Sequence, residues 1–405
     1  MALWRNLPEE LLNGLFFTRK VSGMTRQEIK VAPVMEEGEG RIVLFRPNVP
    51  KKAVEYISRV LESRWIGQGP RVDEFEKKFE ASFGGGHTAI SCGSGTDALH
   101  LAYLLAGVKS GDEVICTVFT CTASNLPALY IGATPIFADI VPSTLNIDPA
   151  HVRSLITSKT KAIVFVDYGG LPADLDELVK ISQEFNIPLI EDAAHALGAK
   201  HNDRSIGSIS DYTIFSFQAI KHITTGDGGM LMIKHPAKVE EAKRLRWFGI
   251  DRNSKFHGIW ENDIHEVGFK YQMNDIAAAM GLAALEEFDE TLKFRKLLLS
   301  TYVDELQGVE NLEIVGSSLT DDHAAWLFTV LVPDAKALRD FLFTRDIESG
   351  QVHFRNDRYT LFGGRKTDLP NMDSVESRYL VLPLHTHMSV QDVKKICAEI
   401  ISFIA

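Results

Sequence analysis

Cysteine is scarce in this chain. Four occur in 405 residues (Cys92, Cys116, Cys121 and Cys397), with no CxxC pair and no regular spacing. That excludes a disulfide scaffold and suits a reducing, cytosolic setting. The scattered histidines and acids show no metal-ligand spacing, so no metal site is expected. Positive charge is in deficit: 43 Lys and Arg stand against 54 Asp and Glu, a formal net charge of -11. Such a balance argues against wrapping a nucleic-acid backbone, although a local cluster of donors still suffices for an anionic small ligand. No apolar run reaches the roughly 18 residues of a membrane span. The first residues, interrupted by Arg5, Glu9 and Glu10, lack the pattern of a signal peptide. Neither internal repeats nor low-complexity tracts occur. The Gly-rich turns form no strand–GxGxxG–helix unit, which sets a dinucleotide-binding dehydrogenase aside. What is there is 45% hydrophobic and 24% charged, enough apolar surface to fold into a soluble enzyme or binding protein.

The pattern divides the chain into an N-terminal extension (1–44), a large domain (45–290) and a smaller C-terminal domain (291–405). In the extension, Leu7 to Phe17 has the spacing of a short amphipathic helix with Pro8 in its first turn, and Glu36 to Gly40 reads as a solvated linker. The large domain alternates short apolar runs with helical stretches. The runs are Val114–Cys116, Thr134–Ile140, Lys161–Val166, Ile187–Ile190, Tyr212–Phe217 and Gly229–Ile233. Leu175 to Phe185 is helical, with Asp174 placed to cap it. Continuous apolar runs of this length predict a mostly parallel sheet covered on both faces, an α/β domain. Met280 to Leu306 reads as a helix-rich connection. Ala325–Val332, Ala335–Phe343 and Val390–Phe403, the last capped by Ser389, predict a smaller α+β unit.

Three segments carry chemistry. Ser91 to Leu99 is a small-residue loop running into a helix from Asp97. The amides of such a helix start hold a phosphate, with Gly95, Thr96 and Asp97 beside it, or else Thr96 or Asp97 merely caps the helix. In Ile187 to His195 an apolar run ends in Glu191 and Asp192. A carboxylate at a strand's carboxyl end can pair with a protonated ring nitrogen, or it is a solvated turn. In Tyr212 to Gly229, Ser216 is followed by Lys221 and then by the turn Gly226–Gly229. A lysine in a tight, partly apolar loop can act as an amine nucleophile. A phosphate cradle, a carboxylate and an amine together match the needs of pyridoxal 5'-phosphate.

With these segments on hand, the chain from about Phe45 to Ala405 resembles the DegT/DnrJ/EryC1/StrS family of pyridoxal-phosphate-dependent sugar aminotransferases. The matching motifs are Gly69-Pro70 with Glu74-Phe75-Glu76, Ser94 to Leu99, Gly111 to Ile115, Gly132 to Pro135 with Asp139, Gly170 to Asp174, Glu191 to His195, Phe215 to Phe217 through Lys221, and Thr224 to Gly229. The resemblance implies a fold-type-I, aspartate aminotransferase-like transferase acting as a homodimer with shared active sites. It implies that Lys221 forms the Schiff base and moves the proton, and that Asp192 pairs with the pyridine nitrogen. His195 falls near the cofactor's ring hydroxyl, one helical turn on from Asp192. Gly95, Thr96, Asp97 and Ser216 fall at the phosphate. Some relatives carry histidine in place of the lysine and dehydrate the sugar instead, so Lys221 favours transamination.

Three stretches depart from the family pattern. The slot for a ring-stacking aromatic holds Cys121, which either lies against the ring or is buried packing. The stretch Gly268-Phe269-Lys270-Tyr271-Gln272 has Lys270 where an Asn usually reaches the neighbouring subunit's cofactor phosphate, a role a cation suits. Val352 to Asp357 matches loosely, which leaves His353 and Arg355 as substrate-binding or structural residues. The expected reaction moves an amino group from an amino acid, L-glutamate, to a nucleotide-linked keto-deoxysugar, at C4 rather than C3. Amination of a cyclitol ketone and a non-catalytic regulator are the alternatives.

Overall fold

The computed structural model describes residues 38, 40–252, 263–316 and 322–405. The helix expected over Leu7 to Phe17 lies outside these residues, as does most of the Glu36–Gly40 stretch. The apolar runs become a seven-stranded sheet: β1 (Thr88–Cys92), β2 (Glu113–Thr117), β3 (Thr134–Ala138), β4 (Thr160–Val166), β5 (Leu189–Asp192), β6 (Tyr212–Ser216) and β7 (Gly229–Ile233). Their order is β1-β7-β6-β5-β4-β2-β3. From β6 through to β3 every pairing is parallel, and only β7 runs antiparallel, to both β1 and β6.

Both faces of this sheet are covered, which is why its strands read as unbroken apolar runs. One face carries Ile90, Cys116, Val164, Ile190, Ile214 and Leu231 against Leu99, Ala102 and Tyr103 of the helix Gly95–Leu105. The other carries Ala89, Ile115, Ile163, Phe215 and Met230 against Phe75 and Phe79, Leu178 and Ile181, and Ala278 and Leu282. Phe75, Phe79, Phe215 and Phe217 pack edge to face there, with centroids 5.3 to 6.0 Å apart. Burial of each such ring stabilises the fold by ~1.5–3 kcal/mol.

Local signals set the helix ends. Asp174 accepts from the amide of Glu177 and starts the helix Leu175–Phe185. Ser389 and Asp392 form a reciprocal capping box before Val390–Ile404. The expected helix-rich connection resolves into Asp275–Glu286 and Phe288–Leu306. A second sheet of β8 (Glu313–Ile314), β9 (Phe328–Leu331) and β10 (Tyr379–Leu382) is antiparallel throughout. Leu298 and Tyr302, Leu338 and Leu342, and Val393 and Ile396 from three helices form a separate core with Phe328, Val330, Leu380 and Leu382 of this sheet.

Candidate active site

The topology brings four strand ends to one edge of the large sheet. Asp192 ends β5 and pairs across with Ile214 of β6, whose own end is Ser216. Gly229 opens the antiparallel β7 opposite Ser216 and Cys92. The carboxyl ends of strands in an open α/β sheet are where ligands gather.

At this edge the helix Gly95–Leu105 begins. Its cap is Ser94, whose hydroxyl accepts from the Asp97 amide at 3.0 Å, rather than Thr96 or Asp97. An oxygen at the residue before the helix reaches back to the third helical N–H, and Ser94 holds that position. Gly95 is helical and packs on Ser216: a Cβ there would lie 3.1 Å from the Ser216 Cβ and 3.4 Å from its hydroxyl. Gly229 is closer still, since a Cβ on it would lie 2.4 Å from the Ser94 carbonyl oxygen. Helix start, Ser216 and the Gly-rich turn are thus one structural unit, with the helix's positive end at its centre. Asp97 is half-buried and folds over Gly93; burial pushes its carboxyl up to about 6.

Asp192 is buried within its strand, so the solvated-turn alternative is excluded. Its Oδ2 accepts from the Ser124 hydroxyl at 2.6 Å and its Oδ1 from the Ala194 amide at 3.1 Å. Burial pushes its carboxyl up, against those hydrogen bonds and the charge of Lys221. Two donors fix both oxygens, which aims the carboxylate at whatever cation enters the site.

Lys221 lies in the turn after β6, between Ser216 and Gly229. Its Nζ sits 3.6 Å from the ring centroid of Trp326. Burial lowers its ammonium to about 7, opposed by Asp192 and Cys121. Neutral amine is therefore plentiful at ordinary pH, as a nucleophile needs.

His195 occupies a turn after β5 rather than a helix. It is buried and stacks on Trp326, with centroids 3.9 Å apart and planes 16° off parallel. The Gly169 amide donates to its Nδ1 at 3.3 Å. His353 lies parallel to His195 at 5.0 Å, and its Nε2 is a buried atom without a hydrogen bond. Burial, helped by Lys221, holds the imidazoles of His195 and His353 below their ordinary range, His353 at about 3. Both rings are neutral in the folded protein.

Cys121 is exposed, so the buried-packing alternative is excluded. Phe119, two residues earlier, is instead buried between Tyr168 and Tyr379, at 5.0 and 4.9 Å. Arg355 has the surroundings of the structural alternative. Its guanidinium is buried, with Nε and Nη2 on the two oxygens of Asp357 at 2.6 Å and Nη1 on Asp373 and Glu376. Those ion pairs occupy every nitrogen. Lys270 is exposed, 5.1 Å from the Trp247 ring centroid, on a segment whose Phe269 and Tyr271 amides donate to Leu245 and Arg246 carbonyls.

The sequence pattern does not single out Ser124, Arg295 or Trp326. Ser124 and Arg295 gave no signal, because each acts on a partner distant along the chain. Trp326 lies in the apolar run Ala325–Val332, and its size within that run is the available cue.

The arrangement fits pyridoxal phosphate. A cradle that a Cβ would crowd lies at a helix start, a braced carboxylate ends β5, and an amine of lowered basicity stands between them. These define a fold-type-I transferase that uses this cofactor. The chain belongs to the DegT/DnrJ/EryC1/StrS aminotransferase family, whose sequence model matches residues 47–401. It is a pyridoxal-phosphate-dependent sugar aminotransferase. Among similar proteins, GDP-perosamine synthase of Caulobacter vibrioides is 33% identical over 368 residues, 89% of this chain and 97% of that one. The crystal structure of AtS13 from Actinomadura melliaura superposes with a TM-score of 0.85 at 35% identity, covering 90% of this chain and all of the other. The PLP-form of the sugar aminotransferase Spr1654 from Streptococcus pneumoniae gives 0.82 at 28% identity, covering 90% and 98%.

Proposed function

We propose that the enzyme moves an amino group from L-glutamate to C4 of a nucleotide-linked keto-deoxysugar. The observation that carries the chemistry is the half-buried Lys221 amine of lowered basicity, whose charge Asp192 at the sheet edge favours. The substrate class is supported by the 33% identical relative named for a GDP-linked sugar.

The cofactor, when bound, supplies an electron sink for the carbon that loses its proton. The chain's own residues do the rest. Lys221 anchors the cofactor and carries the proton between carbons. Asp192 keeps the ring nitrogen protonated, and Ser124 holds the carboxylate in place. Gly95, Thr96, Asp97 and Ser216 take the phosphate at the helix start, and His195 serves the ring hydroxyl. The exposed Cys121 would lie against the ring of a bound cofactor, and His353 offers its unpaired Nε2 to substrate. Arg355 braces the loop behind it.

Lys270 reaches the cofactor phosphate of a second copy, which makes the enzyme a homodimer with shared sites. Residues 45–290 form the cofactor domain and 291–405 the small domain. The enzyme works in the cytoplasm, where nucleotide sugars are made. Among the described residues no helix is long and apolar enough to cross a membrane.

The test is the second half-reaction, followed by absorbance, of enzyme carrying aminated cofactor against a panel of ketones. Consumption of 4-keto nucleotide sugars ahead of 3-keto ones is expected. Consumption of a free cyclitol ketone in preference to both would overturn the substrate assignment.

A further inference from the structure

Trp326 is fully buried, and three hydrogen bonds of its own hold it. Its amide donates to the Gly169 carbonyl at 3.1 Å, and its carbonyl accepts from Arg295 Nη2 at 2.9 Å. Arg295 Nε binds the preceding carbonyl, of Ala325, at 2.8 Å. The indole N–H donates to the carbonyl of Ile220, the residue next to Lys221, at 3.2 Å. Gly170 makes room for this segment. It has φ +100°, and a Cβ on it would lie 2.9 Å from the His195 carbonyl oxygen and 3.2 Å from the Trp326 amide. The indole is thus bolted to the same loop that carries the lysine, with its face 3.6 Å from Nζ. Among the described residues Lys221 Nζ makes no hydrogen bond.

We propose that Trp326 is a positioning residue whose ring face receives the Lys221 ammonium whenever that side chain is not joined to cofactor. This rests on the assigned role of Lys221. A lysine that must leave the cofactor and return needs one resting place, or rotamer freedom slows the return. Most buried sites would deprotonate it outright, and a tryptophan face offsets part of that cost while remaining unable to take the proton. Lys221 then holds its proton over more of the neutral range than burial alone would allow. Because His195 stacks on the same indole, ring and lysine keep a fixed separation.

The groups facing Lys221 are Asp192 from β5, Cys121 from the loop after β2, Arg295 from the helix Phe288–Leu306, and the neutral rings of His195, His222 and His353. None of them changes when fluorine is placed on the indole, which weakens the ring face at almost constant shape. The experiment measures the pH profile of Lys221 acetylation by trace acetic anhydride. It uses the full-length cofactor-free chain, labelled with ordinary or ring-fluorinated tryptophan and read by peptide mass spectrometry. The apparent pKa of Lys221 should fall with each added fluorine, by about one unit at full substitution. Trp326→Phe should shift it less than Trp326→Leu. A profile unmoved across the fluorine series, with Trp326→Phe and Trp326→Leu alike, would overturn the proposal. Failure of the wild-type chain to bind pyridoxal phosphate through Lys221 would instead overturn the underlying assignment, and the fluorine series reads out independently of it.

Discussion

Lys221 illustrates how a single side chain is tuned by what surrounds it. Its folded pKa, about 7, lies below the ordinary lysine value. Below pH 7 both folded and unfolded chains carry the charge, and the folded one bears the cost of partly desolvating it. Between about 7 and 10.5 the unfolded chain holds a proton that the folded chain has lost, so stability rises with pH across that window. Cofactor-free Lys221→Met should therefore melt several degrees above wild type at pH 6, and the gap should close as pH rises toward 10.5. Parallel melting temperatures at all pH values would contradict the buried charge. Asp192 is the second such residue. Asp192→Asn keeps the shape but removes the charge proposed to keep the ring nitrogen protonated. Turnover should fall about 100-fold or more while cofactor stays bound. Turnover close to wild type would remove Asp192 from the ring nitrogen.

At the scale of elements, the site depends on approaches too close for a side chain. Gly229→Ala would push a methyl group into the Ser94 carbonyl, where β7 meets the helix start. We expect a loss of about 1–3 kcal/mol in stability and weaker binding of cofactor phosphate, measured by denaturation and by titration. An unchanged midpoint would mean that the strand and helix can separate freely. The same approaches explain what could be read in advance. Lys221 was legible because Ser216 and the Gly226–Gly229 turn flank it in sequence. The helix Leu175–Phe185 and its Asp174 cap were legible for the same local reason. Trp326 was not, because its place is set by Gly169, Gly170 and Arg295, none of them a sequence neighbour. The expected strand Ile187–Ile190 lies two residues further on, at Leu189–Asp192. Carboxylates ordinarily end an apolar strand, and here hydrogen bonds from Ser124 and Thr213 let Asp192 and Glu191 stay inside it.

At the scale of the whole molecule, the acidic balance of -11 sits beside a site built for an anionic cofactor. The helix start supplies local donors for that charge, and the proposed function adds Lys270 from a second copy. Lys270 is exposed on its own chain, so Lys270→Ala should leave stability unchanged. It should weaken cofactor retention about tenfold, as loss of one charge-assisted hydrogen bond to phosphate would. Thermal denaturation and equilibrium dialysis check these two statements, and sedimentation gives the oligomeric state. A monomer with full activity would separate Lys270 from the site.

The most direct measurement traps the cofactor where it is attached. Full-length protein loaded with pyridoxal phosphate is reduced with borohydride, digested and sequenced by mass spectrometry. The account predicts a single pyridoxyl group, on Lys221, and none in Lys221→Ala treated alike. A stable pyridoxyl group on another lysine, or loaded protein with no modified lysine, would contradict it.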